Sequence, residues 1–269
     1  MIKRFHIYVV SSESEKMRKV RLTDLLERSG LLEHTTFIPS VHSSYINQNF
    51  IDSQGYRVYP DWYIEGHTMY GRQIREGELG CCIGHLRCWE AFIGSGYQYG
   101  LILEDDVFWQ EDLLTEIMRF IEFNKTYKAD LLYLGRIVMK PDMETSFNTY
   151  QEFVDAEHEE WVNDHYTIPK FSYNLQSYIM SKKFVKTLLD LNPHKNLMTP
   201  DEIVPALYTD HPHPKIRQAF PKANIKALAL TRNSEPDYPE VNKSVGITWQ
   251  KSGEGITSSM LNFSEEYNG

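Results

Sequence analysis

The chain has 269 residues, of which 41% are hydrophobic and 13% aromatic; this supports a substantial core and excludes an intrinsically disordered protein. Its formal net charge of -9 disfavours non-specific binding to nucleic acid. No stretch approaches the roughly 18 consecutive apolar residues of a membrane span.

In chain order, Phe5–Val10 reads as a first strand, because the apolar run in "MIKRFHIYVV" is too short for a signal-peptide core. Lys16 to Arg28 carries Met17, Val20, Leu25 and Leu26 on a rough helical period, and Ser29-Gly30 supplies the stop. Phe37-Ile38 and Val41 suggest a second strand. From Ser43 to about Arg75 the pattern is irregular and aromatic, with Tyr45, Tyr56, Tyr59, Trp62, Tyr63 and Tyr70 mostly as packing and a minority as site lining. Gly77 to Ile93 predicts a helix whose buried stripe is Leu79, Cys82, Leu86, Trp89 and Ile93. Leu101–Leu103 reads as a fully buried strand, Leu113 to Phe123 as an amphipathic helix, and Asp130–Gly135 as another buried strand. Residues from about Lys140 to Lys170 are polar and irregular. "SYIMS" (Ser177–Ser181) predicts a strand, Lys182 to Leu191 a helix, and Asp201 to Tyr208 a short helix.

This alternation predicts an α/β protein with a mainly parallel central sheet covered by helices on both faces. A single domain is expected over residues 1–250, followed by a loosely ordered Gly/Ser-rich tail over 251–269. The three cysteines, Cys81, Cys82 and Cys88, sit in one segment and cannot all pair. Together with a C-terminus that lacks a retention signal, they suggest a soluble, cytoplasmic protein.

The stretch "LILEDD" (Leu101–Asp106) drives a buried strand into three acids. Strand alternation puts Glu104 and Asp106 on one face and Asp105 on the other. Open α/β sheets bind ligands beyond the carboxyl ends of their strands. Two carboxylates there suit a divalent cation, Mg2+ or Mn2+. The competing reading is a solvated turn whose acids favour the next helix N-terminus.

The stretches "EGELGCCIGHLRCWEAF", "LILEDDVF", "DLLYLGR", "FSYNLQSYIMS" and "MTPDEIVPALYTDHP" follow one another in that order between Glu76 and Pro212. The series resembles glycosyltransferase family 25, which includes bacterial lipooligosaccharide and animal procollagen galactosyltransferases. The later stretches look most like the C-terminal half of the procollagen enzymes. The resemblance implies a GT-A fold, a UDP-sugar donor, a Mn2+ cofactor (Mg2+ as the alternative) and inversion at the anomeric carbon. It implies that Asp106 binds metal and diphosphate, that Glu104 contacts the metal or the donor ribose, and that Asp105 supports the donor from the other side. It also implies a hexose, galactose first, moved to a glycan or to hydroxylysine of a collagen-like chain. Departures from the family pattern are "VVSSESEK" in the first loop, Ser40-Val41-His42-Ser43 after the second strand, and Gly84-His85 in the helix motif. The first two leave the choice of donor open, and galactose and glucose, which differ at one hydroxyl, are equally open as the sugar.

An attacking acceptor hydroxyl needs a carboxylate to take its proton. Asp201 and then Glu202, after Pro200, are the candidates, against helix capping by Asp201. His211 is the candidate third metal ligand, ahead of His213. His85 is expected on the outer face of its helix, where it hydrogen-bonds the donor phosphate, braces the acid loop, or is a satisfied core histidine. A zinc face of Cys81, His85 and Cys88 lacks an evident fourth ligand. Arg72 or Arg75 would hold the diphosphate, and Arg136 would face the sugar or the acceptor. Tyr173, Asn174 and Gln176 suit sugar hydroxyls or form a plain polar loop. Two other functions compete: a metal-dependent hydrolase of nucleotide sugars or phosphodiesters, and a catalytically silent sugar-binding relative.

Overall fold

The computed structural model describes residues 3–67, 69–109, 113–143, 145–147, 150–231 and 244–250. The expected tail over 251–269 lies outside them. The first half runs β1 (Lys3–Ser11), α1 (Lys16–Arg28), β2 (Thr35–Pro39), α2 (Gln48–Ser53), α3 (Glu76–Ile93), β3 (Tyr97–Glu104), β4 (Val107–Trp109) and α4 (Leu113–Tyr127). The second half runs β5 (Leu131–Val138), α5 (Tyr150–Asp155), β6 (Glu160–Trp161), β7 (Tyr166–Ile168), β8 (Ser172–Ser181), α6 (Lys182–Asp190), α7 (Pro200–Ala206), α8 (Pro214–Ala219), β9 (Ala227–Leu230), β10 (Ser244–Gly246) and β11 (Thr248–Gln250). Among the described residues no helix is long and apolar enough to cross a membrane.

The α/β class predicted from the alternation is the one observed. Strands order as β2-β1-β3-β8-β5-β9-β7-β6, with β10 added to β5 and a separate β11-β4 pair. β2, β1, β3, β5 and β9 run one way, and β8 lies reversed between β3 and β5. The reversal matters for function. β8 begins where β3 and β5 end, with Ser177 opposite Leu103. Its first residues therefore join the carboxyl edge, where open sheets place ligands.

The period-2 alternation sorts the core into two layers. Ile7, Val9, Leu101 and Leu103 pack on the face covered by α1 and α4, together with Leu22, Leu26, Ile117 and Phe120. Tyr8, Val10 and Ile102 pack on the other face, with Leu86, Trp89 and Phe184 of α3 and α6. β3 ends at Glu104, and Asp105 and Asp106 form the turn before β4. Glu104 falls on the α3 face and Asp105 on the α1 face.

α3 departs from the single-stripe expectation. Its buried residues include Ile83, Gly84, His85 and Cys88 as well as Leu79, Cys82, Leu86 and Trp89, because it is wrapped by the sheet, α6, α7 and the loop before it. Gly80 and Gly84, one turn apart, make the approach possible. A Cβ on Gly80 would stand 2.3 Å from the Val41 carbonyl oxygen, and one on Gly84 would stand 2.5 Å from Val10 Cγ1. Gly80→Ala is therefore expected to cost at least about 1–3 kcal/mol through overpacking, seen as a lower denaturant midpoint at unchanged slope. Two irregular stretches also hold more order than their patterns suggest: α2 lies in the first, and α5, β6 and β7 in the second. In the first stretch Tyr59, Trp62 and Tyr70 are buried, while Tyr45 and Tyr63 are exposed.

Candidate active site

Glu104, at the end of β3, turns one carboxylate oxygen toward α3. His85 Nε2 lies 3.1 Å from Glu104 Oε1, and Cys81 Sγ donates to the same oxygen at 3.4 Å. On its other side His85 Nδ1 lies 2.8 Å from the Tyr178 hydroxyl, which accepts the Trp89 indole N–H at 2.8 Å. Tyr178 thus anchors one ring nitrogen of His85 from behind, and the other ring nitrogen faces Glu104. Burial alone would raise the Glu104 pKa, but the bonds from His85, Cys81 and Gln250 hold it below the ordinary value. His85 is fully buried. It does not lie on an outer helix face and does not reach a donor phosphate; it braces Glu104. Cys88 is fully buried too, and the expected zinc face with Cys81 and His85 is replaced by a grouping of Cys81, His85 and Glu104.

Asp105 points the other way and ties the backbone together. Its carboxylate accepts the Ser12 N–H at 3.1 Å and Arg18 Nη1 at 3.3 Å. Arg21 grips the same turn through the carbonyls of Asp105 and Val107 at 2.7 and 2.8 Å. Asp105 therefore fastens the acid turn to α1 and the loop after β1. The role expected for Asp105 is donor support; the partners seen here are Ser12 and Arg18.

Asp106 returns to the side of Glu104. The Gln250 side-chain amide donates from one nitrogen to Glu104 Oε2 at 2.7 Å and to Asp106 Oδ1 at 2.8 Å. Two carboxylate oxygens thus converge on one point at the sheet edge. Arg18 Nη1 approaches the other Asp106 oxygen at 3.5 Å. Burial and the Glu104 charge push the Asp106 pKa up to about 7. This partly buried pair of carboxylates has a neutral amide between its two converging oxygens, and Arg18 stands only on the far side of Asp106. Its hard oxygen donors fit Mg2+ or Mn2+.

The raised pKa sets a stability test. A group that holds its proton more tightly when folded favours the fold below its ordinary pKa and loses that contribution as pH rises through its folded value. For Asp106 the window runs from about pH 4 to about pH 7. Metal-free Asp106→Asn is thus expected to exceed the parent in stability by roughly 1–3 kcal/mol at pH 8, with the difference vanishing near pH 4. Thermal melts of both proteins across that range, with chelator present, check it.

Asp201 approaches from α7. It is partly exposed, and its Oδ1 accepts the Leu175 N–H at 2.8 Å. The neighbouring Asn174 N–H also bonds to it, and Asn174 adopts the left-handed region at φ 75°. The start of β8 is thereby bent around the carboxylate. Burial and the Glu104 charge push the Asp201 pKa up to about 7. Asp201 and Glu104 therefore share one electrostatic neighbourhood.

Six expected site residues lie elsewhere. Glu202 is fully buried; it accepts the Tyr70 hydroxyl at 2.9 Å and lies 2.8 Å from His211 Nε2. Adjacent residues on a helix diverge by about 100°, so Asp201 and Glu202 cannot both face the edge. His211 is equally buried, and its Nδ1 accepts the His213 N–H at 3.0 Å. It pairs with Glu202 instead of joining Glu104 and Asp106. Replacing His211 by alanine would remove one partner of a buried carboxylate that keeps its Tyr70 bond, and a loss of about 1.5–3 kcal/mol in unfolding free energy is expected from denaturant titration. Arg136 is fully buried and pairs with Glu159 at 2.8 and 2.5 Å and with Ser172 Oγ at 2.7 Å, so it faces neither sugar nor acceptor. Arg72 pairs with Glu78 at 2.5 and 2.8 Å, at the start of α3. Tyr173 is part of the Tyr70–Glu202 cluster, and Gln176 donates to the Thr248 carbonyl at 2.8 Å.

Sequence reasoning missed Gln250, Arg18 and Arg21. The two arginines carried a usable signal, since a spacing of three puts both on one helical face beside the end of β1. Gln250 carried none, being more than 140 residues from the acids it bridges.

Comparison with known proteins gives the family. Residues 5–204 match the family described as Glycosyltransferase family 25 (LPS biosynthesis protein). The chain is 27% identical over 228 residues to a Glycosyltransferase 25 family member of Drosophila pseudoobscura pseudoobscura, covering 83% of this chain and 33% of the relative. It is 25% identical over 241 residues to Procollagen galactosyltransferase 1 of Danio rerio, covering 83% and 37%. It is also 25% identical over 228 residues to Inactive glycosyltransferase 25 family member 3 of Homo sapiens, covering 83% and 35%. The chain spans about a third of the length of these relatives. By the match over residues 5–204, the chain belongs to glycosyltransferase family 25.

Proposed function

We propose that this chain transfers a hexose from a UDP-sugar to an acceptor hydroxyl, with inversion and with a divalent cation held by Glu104 and Asp106. One observation carries the reading. Two carboxylates converge on a single point at the carboxyl edge of the sheet, with a third, partly exposed carboxylate, Asp201, in the same electrostatic neighbourhood. When bound, Mn2+ or Mg2+ would supply positive charge to the donor diphosphate.

The chain's own residues would do the rest. His85, Cys81 and Tyr178 hold Glu104 ionised and oriented. Ser12, Arg18 and Arg21 fix the turn that carries Asp106. The acceptor oxygen forms its bond to the anomeric carbon while the bond from that carbon to the diphosphate oxygen breaks, and UDP leaves with the electron pair. The hydroxyl proton passes to Asp201. Two backbone N–H groups fix that carboxylate and leave lone pairs for the proton. A pKa near 7 suits a base that works at neutral pH.

Galactose is the first choice of sugar and a collagen-like chain the first choice of acceptor, because a relative is named Procollagen galactosyltransferase 1; the attacking group would be a hydroxyl such as that of hydroxylysine, and a glycan is the alternative acceptor. A catalytically silent reading also has an observation behind it, since another relative is named inactive. Incubation with each common UDP-hexose, Mn2+ and candidate acceptors separates the readings. UDP release that requires metal and rises with acceptor, with a glycoside formed, is expected. Release that ignores acceptor would mean a hydrolase, and UDP-sugar binding without turnover would mean a silent relative.

A further inference from the structure

We infer that Cys81, His85 and Glu104 form a second cation site, for a softer ion such as Zn2+ or Cd2+, that shares Glu104 with the carboxylate pair. Among the described residues, a thiol sulfur, an imidazole nitrogen and a carboxylate oxygen gather here within 4.8 Å of one another. The individual approaches to Glu104 Oε1 are 3.4 Å from Cys81 Sγ and 3.1 Å from His85 Nε2. Tetrahedral ligands at zinc distances stand about 3.3–3.8 Å apart, so the three atoms need only small movements to face one ion. Spacing of four on α3 places Cys81 directly above His85, and the strand parity brings Glu104 to both.

The chemistry of the set selects the ion. Sulfur and imidazole ligands favour zinc and cadmium over manganese and magnesium. Outer contacts are in place, since His85 is fixed from behind by Tyr178, itself bonded to Trp89. Cys81 keeps partial solvent access, whereas Cys82 and Cys88 are buried. Loading is balanced in protons. The Cys81 thiol proton leaves to solvent, and the neutral His85 ring keeps its one proton on Nδ1, donated to the Tyr178 oxygen, so that the Nε2 lone pair meets the ion. Water takes the fourth position.

The two oxygens of Glu104 face different neighbours. Oε1 faces Cys81 and His85, while Oε2 faces Gln250 and Asp106. An ion on Oε1 therefore draws negative charge from the carboxylate pair and weakens its hold on Mn2+. This inhibitory consequence rests on the proposed function, but the binding itself does not.

Titration of the full chain with Cd2+ tests the site through the ultraviolet sulfur-to-cadmium charge-transfer band. One equivalent per chain is expected in the parent and in Cys88→Ser, with the band lost in Cys81→Ser and affinity reduced in His85→Gln by more than the roughly 10–100-fold that loss of an outer partner alone would cause. Near-UV circular dichroism shows whether each variant is folded. Absence of the band in the parent, or an undiminished band in folded Cys81→Ser, overturns the site. Zinc is then titrated against Mn2+-supported transfer. Inhibition relieved by excess Mn2+ supports the sharing of Glu104. A cadmium band with no zinc inhibition overturns the sharing alone, and a cadmium band in a chain without transfer overturns the proposed function and leaves the site intact.

Discussion

Asp106→Ala is expected to lower kcat/KM for UDP-sugar turnover by about a thousandfold or more and to abolish the Mn2+ dependence of UDP binding. The size follows from charge. Stabilising a leaving diphosphate with a cation is worth several kcal/mol, and each 1.36 kcal/mol is a factor of ten in rate. Asp106 supplies one of the two oxygens that converge beside Gln250, and Glu104 alone offers one ligand where the pair offers two. The loss would not come from unfolding. Removing a partly buried carboxylate whose pKa is pushed up to about 7 relieves the fold at pH 8. Activity should fall while metal-free stability holds or rises. Steady-state kinetics with calorimetric titration of UDP, each with and without Mn2+, checks both halves. Unchanged kinetics would remove the metal assignment.

The second large effect is at Asp201. Asp201→Asn keeps the size of the side chain and an oxygen for the Leu175 N–H but cannot take a proton. UDP binding should persist, while kcat falls by about a hundred- to ten-thousandfold. The pH profile separates a base from a positioning residue. A base must be deprotonated to act, so parent activity should fall as pH drops through about 7. That limb should flatten in the variant. If Glu202→Gln in a folded protein reproduced the effect while Asp201→Asn did not, the base would be the neighbouring residue.

Strand alternation was legible as far as Glu104, the last residue of β3, whereas Asp105 and Asp106 lie in the turn before β4. It is that turn, held by Ser12, Arg18 and Arg21, that sends Asp105 to one side and returns Asp106 beside Glu104. The helix of α3 was legible too, its period surviving in Leu79, Cys82, Leu86 and Trp89. Its second buried face was not, because Gly84, His85 and Cys88 look neutral in a pattern and are buried only by what packs against them. Asp201 and Glu202 are inseparable as letters, and the phase of a short helix behind Pro200 separates them. The partners of buried charges were hidden by distance along the chain. Arg136 meets Glu159, and His211 meets Glu202 under a lid of Tyr70. Nothing local in "LGRIV" or "TDHP" announces either pairing. Gln250 reaches the acids through the pairing of β11 with β4, a two-stranded contact that no periodicity could place.

The most direct test is an anomalous difference map from crystals of the chain grown with Mn2+ and UDP. The account predicts one manganese peak within coordination distance of Glu104 Oε2 and Asp106 Oδ1, with the Gln250 amide displaced from between them and the diphosphate against the same ion. UDP bound with no manganese at that pair, or manganese bound elsewhere in the chain, would contradict it.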